Sequence, residues 1–124
     1  MKNFKKYYRI PAAPDEVYRA LTNPLSIRLW TGEGASMEPV AGTEFSIFDD
    51  AIVGRNLEFE ENKKIVQEWY FEEEEPKSIV SIKLHANPEG TSLELRHDNI
   101  PDEEYEQIVN GWEEIYIPAL VDFF

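Results

Sequence analysis

The stretch "NGWEEIYIPALVDFF" (Asn110–Phe124) decides the fold. It is dense in apolar and aromatic residues, and Pro118 sits inside what reads as a helix. Upstream, Pro101 opens the same segment, and Asp102, Glu103 and Glu104 load its first turn with the negative charge that a helix N-terminus favours. Tyr105, Ile108, Val109, Trp112, Ile115, Tyr116, Ala119, Leu120 and Phe123 then recur at i, i+3, i+4 and i+7, one apolar stripe of a helix. Twenty-odd residues at about 1.5 Å each reach roughly 30 Å, the length of a nine-residue strand. A rod that long, with rings along one side, requires a sheet that bends around it. Pro118 removes one helical hydrogen bond and is expected to kink the last turns. Ile117, Val121 and Phe124 fall off the stripe, at about 100–160° on the helical wheel. They are either covered by other elements or form part of a dimer or partner surface.

Working back from that helix, the period changes to two between Ala35 and Asp98. Phe45 and Ile47 alternate with polar neighbours, as do Val53, Leu57 and Phe59. Ile65, Trp69 and Phe71 follow, then Val80, Ile82 and Leu84, then Leu93 and Leu95. Turns at "VAG", "FDD", "EENKK", "EEEEPK" and "ANPEG" separate these runs, as in an antiparallel meander with one dry face. "FKKYYRI" reads as a first strand. "AAPDEVYRAL" and "TNPLSIRLW" read as two short helices, each with a proline in its first turn and Asn23 as the side-chain cap of the second. The expected fold is therefore α+β. About seven strands form a curved antiparallel sheet around a long C-terminal helix, with two short helices after the first strand, in a single domain over residues 1–124.

A chain of 124 residues with 42% hydrophobic and 13% aromatic residues can bury a core of its own. It contains no cysteine, which excludes disulfides, thiolate chemistry and cysteine-built zinc sites and fits a reducing cytoplasm. The net charge of −13 repels phosphate backbones and anionic lipid, so neither nucleic acid nor a membrane is an expected partner. Lys2, Lys5, Lys6 and Arg9 crowd the acid-free first strand; setting these four cations apart leaves the rest of the chain at −17. They read as a lysine-guarded strand edge. The opening residues carry no apolar h-region, and no apolar run approaches a membrane span.

Chemistry-bearing residues are few. Trp30, Trp69, Trp112 and Tyr116, with Phe45 and Ile47, should converge between helix and sheet, either filling the interior or lining a pocket. Leu57, Ile82, Leu95 and Ile108 complete the candidate lining. His97 shares the phase of Leu93 and Leu95 and should face the dry side, where a neutral imidazole could act as acid or base or serve as a hydrogen-bonded structural residue. His85 is out of phase and should face water. No carboxylate stands at ligand spacing from either histidine, so no metal site is expected, and no cofactor. The run Glu72–Glu75 reads as a solvated hairpin tip. "TGEGASM" (Thr31–Met37) lacks the strand, lysine and helix of a phosphate cradle and reads as a loop.

At this point the pieces resemble a family. "RIPAAPDEVYRALTNPLSIRLW" (Arg9–Trp30) resembles the opening of the activator of heat-shock protein 90 ATPase homologues, within the START-like, birch-allergen-like (SRPBCC) superfamily. "GTEFSIFD" (Gly42–Asp49), Gly54, "KKIVQEWYF" (Lys63–Phe71), "LELRHDNIP" (Leu93–Pro101) and the Gly-Trp helix "NGWEEIYIPAL" (Asn110–Leu120) agree in order and spacing. The resemblance implies a helix-grip fold with an interior cavity that holds lipids, hormones or polyketide-like compounds in some relatives. The co-chaperones that name the family carry an additional amino-terminal domain that does much of the chaperone binding, whereas these residues open directly on the helix-grip pattern. Three functions follow as alternatives: a non-enzymatic module for an apolar small molecule, a chaperone-associated stress-response interaction protein or homodimer, and a cyclase- or hydrolase-type enzyme with His97 as proton carrier.

Overall fold

The computed structural model describes residues 1–72 and 75–124. Glu73 and Glu74, and with them the centre of the expected acidic hairpin tip, lie outside the described residues. Aromatic and branched residues build β1 (Lys2–Ile10). Two prolines then start α1 (Pro14–Thr22) and α2 (Pro24–Thr31), with Asp15 and Glu16 in the first turn of α1. Asn23 ends one helix and caps the next: its Oδ1 accepts the N–H groups of Leu25 at 2.9 Å and Ser26 at 3.2 Å. Gly32, at a φ of 71°, closes α2 in the left-handed conformation that a side chain resists.

Five strands follow: β2 (Glu44–Ile47), β3 (Ile52–Glu60), β4 (Lys64–Trp69), β5 (Ser78–Asn87) and β6 (Gly90–Ile100). They join β1 in one antiparallel sheet of order β1-β6-β5-β4-β3-β2. The described residues thus form six strands where about seven were expected. The missing pairing shrinks to one bridge, in which Ser36 and Ser46 exchange backbone hydrogen bonds of 2.7 and 2.9 Å. Pro39, three residues on, has no N–H to extend it. At the other edge, the cations of β1 meet acids: Lys6 pairs with Glu113 at 2.7 Å and Arg9 with Glu89 at 2.5 Å.

One strand departs from the expected alternation. The register of β3 against β4 slips between Asn56 and Glu58, and the bulge reverses the alternation. Gly54 and Asn56 point inward, while Leu57 is 38% exposed and Arg55 also faces out. Leu57 is therefore no part of the interior.

The C-terminal rod is helical but not uniformly so. A 3₁₀ turn (Asp102–Glu104) leads into α3 (Tyr105–Gly111), a π-helical turn (Trp112–Tyr116) and α4 (Ile117–Asp122). The Ile117 N–H reaches back five residues to the Trp112 carbonyl. Pro118 explains the wide turn, because in a regular helix its ring would strike the carbonyl of Glu114 four residues earlier. The extra residue rotates everything after it. Ile115, expected on the buried stripe, is 57% exposed, and Ile117, expected on the flank, is 5% exposed and part of the core. Ile117 is thus corrected from interface to core, while Val121 is half-buried and Phe124 exposed. No helix among the described residues is long and apolar enough to cross a membrane.

Candidate functional site

Strand register arranges the concave face in rows. Phe59, Ile65, Ile82 and Leu95 are paired in sequence across β3, β4, β5 and β6, an apolar row. Two positions along, Asn56, Gln67, Val80, His97 and Phe4 form the next row, and three of its members are polar and buried. Beyond it stand Phe45, Gly54, Trp69 and Ser78. Burying amides and an imidazole costs free energy unless each finds a partner. Here the indoles of Trp69 and Trp112 partner Gln67 and His97, and Asn56 finds its partners in Gln67 and the loop before β2.

Trp69 donates its indole N–H to Gln67 Oε1 at 3.1 Å, and Gln67 Nε2 donates to Asn56 Oδ1 at 3.1 Å. The Asn56 amide in turn donates to the Glu38 carbonyl and Thr43 Oγ1, both at 3.2 Å. On the other side Trp112 donates its indole N–H to His97 Nδ1 at 3.1 Å. That bond fixes the tautomer: the His97 proton sits on Nε2 and is donated to Ser78 Oγ at 2.8 Å, while the hydroxyl donates to the Asp98 carbonyl at 3.3 Å. Burial pushes the imidazole down to about 3, so it is neutral. Both nitrogens are used within the protein, which makes His97 a positioning group for Trp112. The two indoles so held are stacked, with ring centroids 4.9 Å apart and planes 23° from parallel. His85, by contrast, is exposed and meets Glu94 at 3.0 Å.

Against this stack lies a pocket of about 330 Å³, open to solvent between the C-terminal rod and the turn joining β2 to β3. Trp69, Trp112 and Tyr116 form its inner side, and Ile108, Phe48 and Ile52 its walls. Tyr116 packs on Trp112 at 4.4 Å between centroids and on Trp30 at 5.1 Å, and burial raises its phenol pKa. Of the candidates read in the sequence, Trp69, Ile108, Trp112 and Tyr116 line this space. Trp30, Phe45, Ile47, Ile82, Leu95 and His97 are instead buried in the core around it, with the Trp30 indole donating to the Ala20 carbonyl at 2.7 Å.

The sequence model of the Activator of Hsp90 ATPase homolog 1-like protein family matches residues 11–124. The chain belongs to that family. Its similarity extends to the "Activator of 90 kDa heat shock protein ATPase homolog" of Dictyostelium discoideum, 25% identical over 115 residues that cover 90% of this chain and 30% of that protein. The human homolog 1 is 27% identical over 114 residues, covering 90% of this chain and 34% of the other. The chain thus spans about a third of the length of these curated relatives. Among solved structures, an HSP90 activator from Plasmodium falciparum superposes with a TM-score of 0.86 at 26% identity, covering 95% of this chain and 92% of that one.

Within this member of the Hsp90-activator-like family, several site residues escape sequence reasoning. Gln67 carried a signal, since it shares the phase of Ile65 and Trp69 and so had to point inward. Asn56 was hidden by the bulge. Phe48 follows Ile47 directly and breaks the alternation. It reaches the pocket because residues 48–50 run through left-handed conformations, with φ of 53°, 53° and 68°. Gly111 also lines the pocket, and a Cβ built on it would meet nothing within 4 Å.

Proposed function

We propose that this domain is a non-enzymatic binding module that holds a small apolar ligand between the C-terminal rod and the β2–β3 turn. The observation that carries the reading is the pocket itself, about 330 Å³ and walled mainly by rings and branched side chains. That volume falls at the lower end of ordinary ligand sites, roughly 300–1,000 Å³. The hydrogen bonds of Trp69 and Trp112 point away from the space into the polar row, which leaves apolar ring surface toward the ligand. His97 supports binding over proton transfer, because neither of its nitrogens is free for a substrate. NMR shift mapping with sterols, fatty acids and flavonoid-like compounds tests the proposal. Shifts should centre on the Trp69 and Trp112 indoles and Tyr116, and silence at these signals with every class, two- and three-ring aromatic compounds included, would overturn it.

Family membership favours a second reading, association with a heat-shock protein 90 chaperone in a cytoplasmic setting. Val121 and Phe124 are the contact candidates that remain accessible. Stimulated ATP hydrolysis by purified heat-shock protein 90 on adding this domain would support that role. Unchanged hydrolysis alongside intact ligand binding would leave the first reading alone.

A further inference from the structure

The charge of the pocket narrows the ligand, on the footing that the pocket is a ligand site. Among the described residues its lining contains one carboxylate, Glu33, at the rim, one amide, Gln107, and no lysine, arginine or histidine. Glu33 lies in the short loop after α2, and its N–H is held by Thr31 Oγ1 at 3.1 Å. The rings of Phe48, Trp69 and Trp112 and the phenol of Tyr116 make up most of the remaining lining. The surroundings reinforce this. The chain is strongly acidic, and the cations of β1 stand at the sheet edge, with Lys6 and Arg9 already committed to Glu113 and Glu89.

An anionic ligand entering such a site would exchange water for an apolar space with a carboxylate at its mouth and no cation to receive it. A fatty acid or other carboxylate is therefore the wrong chemistry. A cation gains from the rim carboxylate, and from any aromatic ring it can approach there. Size sets the second limit: the volume is about twice the roughly 150 Å³ void that accepts one benzene ring. That leaves room for a two- to three-ring body.

We propose that the pocket selects flat aromatic amines of two or three rings, protonated at the end nearest Glu33, over carboxylates of the same skeleton. The rings stack against the Trp69–Trp112 pair, and the ammonium remains at the rim, where Glu33 and Gln107 face it.

The test uses three probes of one shape: 1-naphthylmethylamine, 1-naphthylmethanol and 1-naphthylacetate. Each is titrated into the intact chain at low ionic strength and followed through the Trp69 and Trp112 indole signals. The amine should bind about tenfold more tightly than the alcohol, and the acetate more weakly than either. Glu33→Gln should bring the amine to within about threefold of the alcohol and leave the alcohol unchanged, and added salt should shrink the amine's advantage in the parent. Glu33 is exposed, so this variant keeps the fold, with the indole signals of the free protein as the check. Acetate binding as tightly as the amine, or an amine preference that survives Glu33→Gln intact, overturns the charge selection while leaving the pocket reading in place. Failure of all three probes to shift either indole overturns both.

Discussion

His97 makes the stability of this protein depend on pH in a calculable way. Its imidazole is 0% exposed, and burial alone lowers it from 6.5 to about 3. In the folded chain it stays neutral at any pH above about 3, whereas in the unfolded chain it takes up a proton below 6.5. The unfolded state therefore binds more protons across this window, and stability falls as pH falls. Above 6.5 the two states bind alike and the contribution is fully present. Below it the loss approaches about 1.4 kcal/mol per pH unit, which integrates to roughly 2 kcal/mol between pH 8 and pH 5.

The control is His97→Gln, whose amide oxygen can accept the Trp112 indole N–H and whose amide nitrogen can donate to Ser78 Oγ, without a titration. The assay is urea unfolding of both proteins at pH 8, 6.5 and 5, read by circular dichroism. His85 and every carboxylate are common to both and cancel in the difference. The stability advantage of the parent over His97→Gln should shrink by about 2 kcal/mol from pH 8 to pH 5. A difference that stays constant across those three pH values would refute the reasoning, since it would mean that His97 protonates as readily folded as unfolded.

Other expectations follow from single positions. Gly111→Ala should raise stability by about 0.5–1 kcal/mol, because the position is helical and a Cβ meets nothing there; Gly111→Leu should keep the fold in thermal unfolding and abolish indole shifts from any pocket ligand. Gly54→Ala should cost about 3 kcal/mol in urea unfolding, since its Cβ would fall 2.0 Å from the Glu68 carbonyl oxygen and 2.9 Å from the Phe45 ring. Ile117→Lys should unfold the domain, placing an unpaired charge in the core, whereas Phe124→Glu should leave circular dichroism and melting close to the parent's.

Much of the architecture was legible because it rests on periodicity. The change from period two to the helical stripe at Pro101 marks where the sheet ends and the rod begins, and Asn23 with Pro24 marks the break between the two short helices. What escaped lies where one residue is added to a regular element. The bulge after Asn56 inserts a residue into β3, turns Leu57 outward and brings an amide into the interior. The π turn at Trp112–Tyr116 does the same to the rod, moving Ile117 inward and Ile115 outward. Pro118 announced a disturbance but not its kind: a kink and a widened turn both relieve the clash with Glu114. The pocket escaped for another reason. Large aromatics fill an interior or line one equally well, and here Phe48 and the bare backbone at Gly111 border a space that stays open.

These irregularities act together at Trp112. It is the first residue of the widened turn, its indole is anchored by His97, and its face is stacked on Trp69, which Gln67 anchors from the opposite side. In a straight helix, the expected stripe would have placed Ile115 inside and left Ile117 on the flank. With the extra residue, Tyr116 keeps contact with Trp112 and Trp30, Ile117 fills the core beneath, and Ile115 moves to the pocket rim. The aromatic wall is thus held in place by the hydrogen bonds of its two indoles. Because a preordered wall loses little conformational freedom on binding, a ligand of the kind proposed above would retain more of the free energy gained from burying its rings. The polar row beneath the indoles is then the reason that the pocket above them can be apolar.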